Sequence, residues 1–259
     1  MRRKEFLKSF GLIVSSIALS PVEVLAHEGR IVLGGYVHKI VGDTLSDSFH
    51  NNADHGLWVP IYNKVKDFYS KELEVEVILN KESEVNKEWL NRSNISVEYT
   101  TLDNILKSPR EVLYSFGGKE LIDELEVEIK RAQKEKNLDY KTAEAEILTT
   151  IREGVRREIG SEGGVGSKIA HRAWVFPSKT FDVVNNNEEL VNAYAHSICH
   201  EVGHTLSLEH PKGKGIYFEY GQINFMNPIH TLKNVFSFNF DIHPNQVRQI
   251  NDYLKGSRD

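Results

Sequence analysis

Residues 200–210 read His-Glu-Val-Gly-His-Thr-Leu-Ser-Leu-Glu-His. His200 and His204 are four residues apart, so on a helix they share one face with their side chains roughly 6 Å apart, close enough to bind one metal ion. A straight helix would carry His210 about 15 Å beyond His200, too far to share an ion with bonds about 2 Å long. If His210 is the third ligand, the chain must therefore leave the helix between residues 206 and 209.

Glu201 follows the first of these histidines and points about 100° round the helix from it. At that angle its carboxylate does not join the ligands, but it can reach a water on the metal and act as a general base. The predicted site is therefore a zinc ion bound by His200, His204 and His210, with Glu201 as the catalytic base. Histidines that lie on an ordinary helix by chance are the alternative, which the third histidine makes less frequent.

These residues resemble the signature of the metzincin clan of zinc endopeptidases, H-E-x-x-H-x-x-G-x-x-H followed by a turn that contains methionine. The second part is similar to residues 224–228, Asn-Phe-Met-Asn-Pro, and its Met226 is the only methionine besides Met1. The Met-x-Pro form looks most like the matrixins. The resemblance implies an α+β, metzincin-like catalytic domain: a twisted mixed sheet with an active-site helix, and a small C-terminal lobe across a cleft. It also implies that Met226 forms an apolar floor beneath the histidines.

One residue departs from the family pattern. The glycine that lets the family's chain turn towards the third ligand is Ser207 here. A serine held in a left-handed conformation costs on the order of 1–2 kcal/mol, a cost that the protein tolerates if zinc binding offsets it. The alternative is a zinc site completed by a carboxylate further along the chain, for which Glu219 and Asp241 are the candidates. We expect His210 to be the ligand.

The resemblance implies that the chain hydrolyses internal peptide bonds of an extracellular or periplasmic protein, with Glu201 as general base. Two other classes stay open. One is an exported zinc-binding protein without peptidase activity that serves adhesion or inhibition. The other is a binding module in which the histidines coincide by chance. Cleavage specificity, calcium sites and oligomeric state are not readable from the sequence.

Residues 1–26 have the features of a signal peptide. A basic start precedes an apolar run at 10–19, and Val24-Leu25-Ala26 is a small-residue cleavage site. The paired arginines resemble a twin-arginine export signal, and an uncleaved amphipathic N-terminus is the alternative. No later segment is long and apolar enough for a membrane anchor. We therefore expect a secreted or periplasmic protein that acts on a protein or peptide.

Composition agrees with one exported catalytic unit. Removing residues 1–26, with four basic and two acidic side chains, changes the formal net charge from −5 to −7, which argues against nucleic acid as a partner. The single cysteine, Cys199, cannot form an internal disulfide and is expected to be a buried, inert thiol. We expect one domain with two lobes, residues 27–206 and 207–259.

Hydrophobic periodicity predicts the remaining elements. They are a strand at 30–40, a loop at 42–56, a helix at 58–73, strands at 75–79 and 94–101, charged helices at 119–136 and 140–159, a glycine-rich loop at 160–166, a strand at 168–176, a helix from 188 to about 206 capped by Asn186-Asn187, and a short helix opened by His243-Pro244.

Several of these elements carry a further expectation. The two charged helices are interpreted as an insertion packed on the domain, most simply a solvated hairpin. By the resemblance, the strand at 168–176 is the edge strand that pairs with an extended substrate. His171 is expected to be packed rather than a second metal ligand. Three phenylalanines line a pocket or belong to the core: Phe236, Phe238 and Phe240.

Overall fold

The computed structural model describes residues 31–37, 58–79, 95–159, 164–169, 171–176, 186–211, 223–227 and 232–256. The strands are β1 (Ile31–Val37), β2 (Val75–Leu79), β3 (Ile95–Tyr99), β4 (Gly164–Ser167), β5 (Arg172–Val175), β6 (Ile223–Asn224) and β7 (Phe240–Asp241). The helices are α1 (Trp58–Tyr69), α2 (Leu102–Ile105), α3 (Pro109–Lys136), α4 (Tyr140–Ile159), α5 (Asn187–Thr205), α6 (Leu232–Ser237) and α7 (Pro244–Gly256). The predicted signal peptide at 1–26 and loop at 42–56 lie outside the described residues.

The larger sheet is mixed, in the order β2-β1-β3-β5-β4. Its first four strands run parallel, whereas β4 pairs with β5 in the antiparallel direction. The expected mixed sheet packed with helices is therefore confirmed, whereas its metzincin-like details stay a prediction. The arrangement of two lobes across a cleft, divided at residue 206, stays a prediction.

The edge strand differs from the prediction. The strand expected at 168–176 spans only Arg172–Val175 and lies inside the sheet, between β3 and β4. The edge position belongs to β4, three of whose residues fall in the stretch predicted to be a glycine-rich loop. The period-two pattern ran across a turn, and His171, with a φ of 47°, ends that turn in the left-handed region.

Two apolar clusters pack on opposite faces of the sheet. Alternation along β5 separates them, because successive side chains of a strand point to opposite faces. Ala173 and Val175 pack with residues of α1, α5 and α7, whereas Trp174 and Phe176 pack with residues of α3 and α4. Helices therefore cover both faces of the sheet.

The predicted charged hairpin is α3 and α4, and it is more than a solvated appendage. Its buried stripe forms one of the two cores together with β4 and β5. Arg110 joins the two helices through Glu126 on α3 and Glu144 on α4, at 2.8 and 2.6 Å. The first helix begins at Pro109 rather than at 119, and Gly118, with φ 59° and ψ −149°, kinks it where the predicted helix began.

Three of the other helices were predicted. Helix α5 forms where it was expected, α1 begins at Trp58 as expected but ends at Tyr69 rather than at 73, and α7 begins at Pro244 with Ile250 and Leu254 buried. The short helices α2 and α6 were not predicted. Within the described part of the chain, no helix combines the length and apolar character needed to cross a membrane.

Candidate metal centre

Helix α5 carries the motif and begins at the predicted cap. Asn186 accepts a hydrogen bond from the backbone N–H of Glu189 at 3.0 Å, which satisfies one of the free donors of the first turn. Glu188 and Glu189 place negative charge at the positive end of the helix dipole. The helix is mostly buried against the sheet, so the histidines near its C-terminus stand on a rigid support.

The helix ends where the sequence required. Leu206 is the C-cap, and Ser207 follows with a φ of 70°. The N–H of Leu208 donates to the carbonyl of Gly203 at 2.9 Å, and the N–H of Ser207 donates to the carbonyl of His204 at 3.1 Å. This pair of bonds is the Schellman motif, in which the residue after the cap is usually glycine. The left-handed serine predicted from the family pattern is therefore confirmed.

The turn brings the three predicted ligands together. Nε2 of His210 lies 3.0 Å from Nε2 of His200 and 3.1 Å from Nε2 of His204. In an ideal tetrahedral zinc site with bonds of roughly 2.0–2.1 Å, ligand nitrogens stand about 3.3 Å apart. Among the described residues, this trio is the one group of histidine, cysteine, aspartate or glutamate ligands close enough to hold a metal ion.

Hydrogen bonds fix which ring nitrogen faces the centre. Nδ1 of His200 lies 2.9 Å from the carbonyl oxygen of Phe225, and Nδ1 of His204 lies 3.0 Å from that of Leu208. A carbonyl oxygen only accepts, so both Nδ1 atoms carry the proton and both Nε2 atoms present a lone pair. His210 can donate to one of these lone pairs at most. These nitrogen donors thus fit a cation. As in known histidine metal sites, the hydrogen bond at the other ring nitrogen orients the imidazole.

The surroundings keep these imidazoles neutral. Burial lowers the pKa of His200 well below its usual range, and the neighbouring His204 and His196 add to this. Burial and His210 lower the pKa of His204 to about 4, and partial burial lowers the pKa of His210. Since a metal binds the neutral ring, protons do not compete for the site near pH 7.

The methionine turn lies against the same helix. The N–H of Met226 donates to Oδ1 of Asn224, and the N–H of Asn227 donates to the backbone carbonyl of Asn224, both at 3.0 Å. Met226 is fully buried, and a Cβ added at Gly203 would lie 2.3 Å from its sulfur. Glycine at 203 therefore lets the methionine approach the backbone of α5 between the two helical histidines.

Glu201 is buried under the edge strand. A Cβ added at Gly164 would lie 2.6 Å from Cγ of Glu201, and one added at Gly166 would lie 2.2 Å from the backbone oxygen of Glu201. Both glycines of β4 are thus needed for close contact with α5. Sequence analysis missed this role, and the alternation of Gly164 and Gly166 was the available signal.

The other candidate ligands lie elsewhere. Asp241 accepts from the N–H of Ile242 at 2.9 Å and does not join the histidine cluster. Glu219 lies outside the described residues. His171 is not part of the cluster either, and burial lowers its pKa. Cys199 is buried and its thiol pKa is raised by burial, which agrees with the inert role expected of it.

The aromatic residues near the site belong to the core. Phe240 is buried, and Phe236 and Phe238 are partly buried against the same cluster. One neighbour was missed by sequence analysis: the ring of His196 stacks on Phe240 at 4.1 Å and lies 6.1 Å from the ring of His200. His196 is one helical turn before His200, which is the spacing that could have identified it.

Comparison with known proteins gives little guidance. No protein-family model matches the chain, and no curated protein matches it in sequence. A solved structure, a zinc-dependent peptidase from Methanocorpusculum labreanum (strain Z), matches with a TM-score of 0.36 and 10% sequence identity, over 84% of this chain and 99% of that one. A TM-score this low establishes neither a common fold nor a common activity. The functional assignment therefore depends on the histidine centre.

Proposed function

We propose that this chain is a zinc-dependent endopeptidase in which His200, His204 and His210 bind zinc and Glu201 is the general base. The observation that supports it most is that Nε2 of His210 lies 3.0 Å from Nε2 of His200 and 3.1 Å from Nε2 of His204. The carbonyl partners of His200 and His204 turn the lone pairs of those two Nε2 atoms inward. Because His210 can donate to only one of these two lone pairs, at least one nitrogen acceptor stays uncompensated unless a cation lies among the rings.

A zinc ion held by these three neutral imidazoles would supply a Lewis acid that lowers the pKa of water and polarises a peptide carbonyl. The carbonyls of Phe225 and Leu208 hold the rings of His200 and His204 in the tautomer that this requires. The protein thus contributes the fixed tautomers of His200 and His204 and keeps their rings neutral before a metal binds.

Glu201 moves the proton. As the water oxygen attacks the carbonyl carbon, the carboxylate takes a proton from that water, and it delivers this proton to the departing amine nitrogen when the C–N bond breaks. Glu201 is 7% exposed and lies against Gly164, so the carboxylate is held in a largely dry environment. Its neighbour β4 takes the edge role that the resemblance assigns to a substrate-binding strand.

The proposed setting is outside the cytoplasm. Residues 1–26 carry the pattern of an export signal. Outside the cytoplasm, the protein acts on another protein or peptide. The alternative, an exported zinc-binding protein without peptidase activity, has no use for a buried carboxylate that follows the ligand His200 directly in the sequence.

Cleavage of a denatured protein by the zinc-loaded chain tests this function. We expect Glu201→Gln to bind zinc like the wild type but to lose about 10²–10⁴-fold in kcat/KM. The matched control is Glu153→Gln, an exposed carboxylate on α4, which we expect to cleave normally. Full activity in Glu201→Gln would refute the assigned base. Stoichiometric zinc in a wild type that cleaves nothing would favour the alternative.

A further inference from the structure

Gln249 on the C-terminal helix reaches the turn that presents His210. Its Nε2 donates to the carbonyl oxygen of Ser207 at 2.6 Å, across 42 positions of sequence. Ser207 is the residue with a φ of 70°, where this chain has a side chain in a position that favours glycine. A side chain from another element therefore contacts the most strained point of the ligand turn.

The bond from Gln249 completes the hydrogen bonding of one peptide unit. The carbonyl of Ser207 and the N–H of Leu208 belong to the same peptide plane. That N–H donates to the carbonyl of Gly203 at 2.9 Å, and the carbonyl accepts from Gln249 at 2.6 Å. With both ends bonded, rotation of the plane is restricted. The following carbonyl, of Leu208, is the one that holds Nδ1 of His204.

Helix α7 is a firm support for this contact. Ile250 and Leu254 are buried in the main core. Three residues before Gln249, Gln246 donates to Oδ1 of Asn224 in the methionine turn at 3.0 Å. Residues three apart are neighbours on a helix surface. The same helix thus bonds to both turns that surround the histidines.

We propose that Gln249 is a positioning residue for the third zinc ligand. By fixing the Ser207–Leu208 peptide, it directs the chain so that His210 meets His200 and His204. This rests on the proposed zinc site. Residues that orient metal ligands change metal affinity by about 10–100-fold when they are replaced. Because Gln249 is exposed, its replacement disturbs no core packing.

Zinc dissociation constants, measured by competition with a chelator of known affinity, test the proposal. We expect Gln249→Ala, and the nearly isosteric Gln249→Glu that lacks the donor, to bind zinc about tenfold more weakly. Arg248→Ala, an exposed neighbour on α7, serves as the control and should keep the wild-type constant. In a His210→Ala background, Gln249→Ala should have a clearly smaller effect, because the ligand that it positions is absent and only the Leu208 carbonyl at His204 can still be disturbed.

Wild-type affinity in both Gln249 variants would overturn the proposal, as would an equal loss in the His210→Ala background, which indicates general destabilisation. Amide exchange in the zinc-free protein gives an independent measurement: the Leu208 amide should exchange faster in Gln249→Ala, and unchanged protection would contradict the positioning role. Failure of the wild type to bind zinc is a separate outcome that contradicts the proposed function, and the exchange measurement distinguishes the two.

Discussion

Nδ1 of His200 lies 2.9 Å from the carbonyl oxygen of Phe225, so the first histidine of the motif is oriented by the residue next to Met226. The methionine turn and helix α5 are therefore joined directly by a hydrogen bond to a histidine of the motif. Asn224 holds that turn, since its Oδ1 accepts from the N–H of Met226 and from Nε2 of Gln246, both at 3.0 Å.

Asn224→Ala is therefore expected to weaken both folding and zinc binding. Two donors lose their acceptor, and unpaired buried polar groups cost about 1–3 kcal/mol. Displacement of the Phe225 carbonyl should weaken zinc binding by about 10–100-fold. Urea denaturation and chelator competition measure the two effects. Asn245→Ala, an exposed position on α7, is the control, and equal behaviour of the two variants would contradict the role of the turn.

Ser207→Gly should stabilise the protein. The left-handed conformation at φ 70° costs a serine about 1–2 kcal/mol, and glycine removes this strain. Glycine also loses more conformational entropy on folding, which cancels about 0.5–1 kcal/mol of the gain. The expected net gain in the free energy of unfolding is about 0.5–1 kcal/mol, read from urea denaturation. Asn137, with a φ of 52° at the end of α3, is the matched position; since asparagine tolerates this region, Asn137→Gly should gain less. Equal gains would show that Ser207 is not specially strained.

Gly166→Ala should separate β4 from helix α5, which carries the histidine motif. The added Cβ would lie 2.2 Å from the backbone oxygen of Glu201, where no flexible side chain can yield. Overpacking of this kind costs about 1–3 kcal/mol, and the proposed peptidase activity should fall with it. Gly154→Ala, inside α4, is the contrast: alanine in a helix is favoured over glycine by about 0.5–1 kcal/mol. A neutral Gly166→Ala would mean that β4 does not pack on Glu201 as described.

The zinc-free protein should lose stability as the pH falls from about 6.5 towards 4. The pKa of His204 is about 4 in the folded chain and 6.5 without the fold. Between these values the unfolded chain binds the proton and the folded chain does not. The contribution of His204 to the free energy of unfolding is therefore fully present above pH 6.5 and declines as the pH falls below it. The slope from one such group is at most about 1.4 kcal/mol per pH unit. Urea denaturation across this range should be less pH-dependent in His204→Gln; an unchanged slope would contradict the assignment.

Much of the site followed from local sequence because its determinants are local. Asn186 marks the start of α5, and the spacing of His200, His204 and His210 requires the break that Ser207 provides. What was missed depends on tertiary contact. Gly164 and Gly166 have no side chain, so they show no hydrophobic alternation and the edge strand read as a loop. The reach of Gln249 to Ser207 has no signature in the sequence, because only the folded chain brings them together.

The most direct test of the account is X-ray absorption spectroscopy at the zinc edge on the zinc-loaded chain. We predict one zinc per chain with three imidazole nitrogens at about 2.0–2.1 Å and one oxygen, and loss of one imidazole in His210→Ala. A folded wild type without stoichiometric zinc, or an identical spectrum in His210→Ala, would contradict the three-histidine centre.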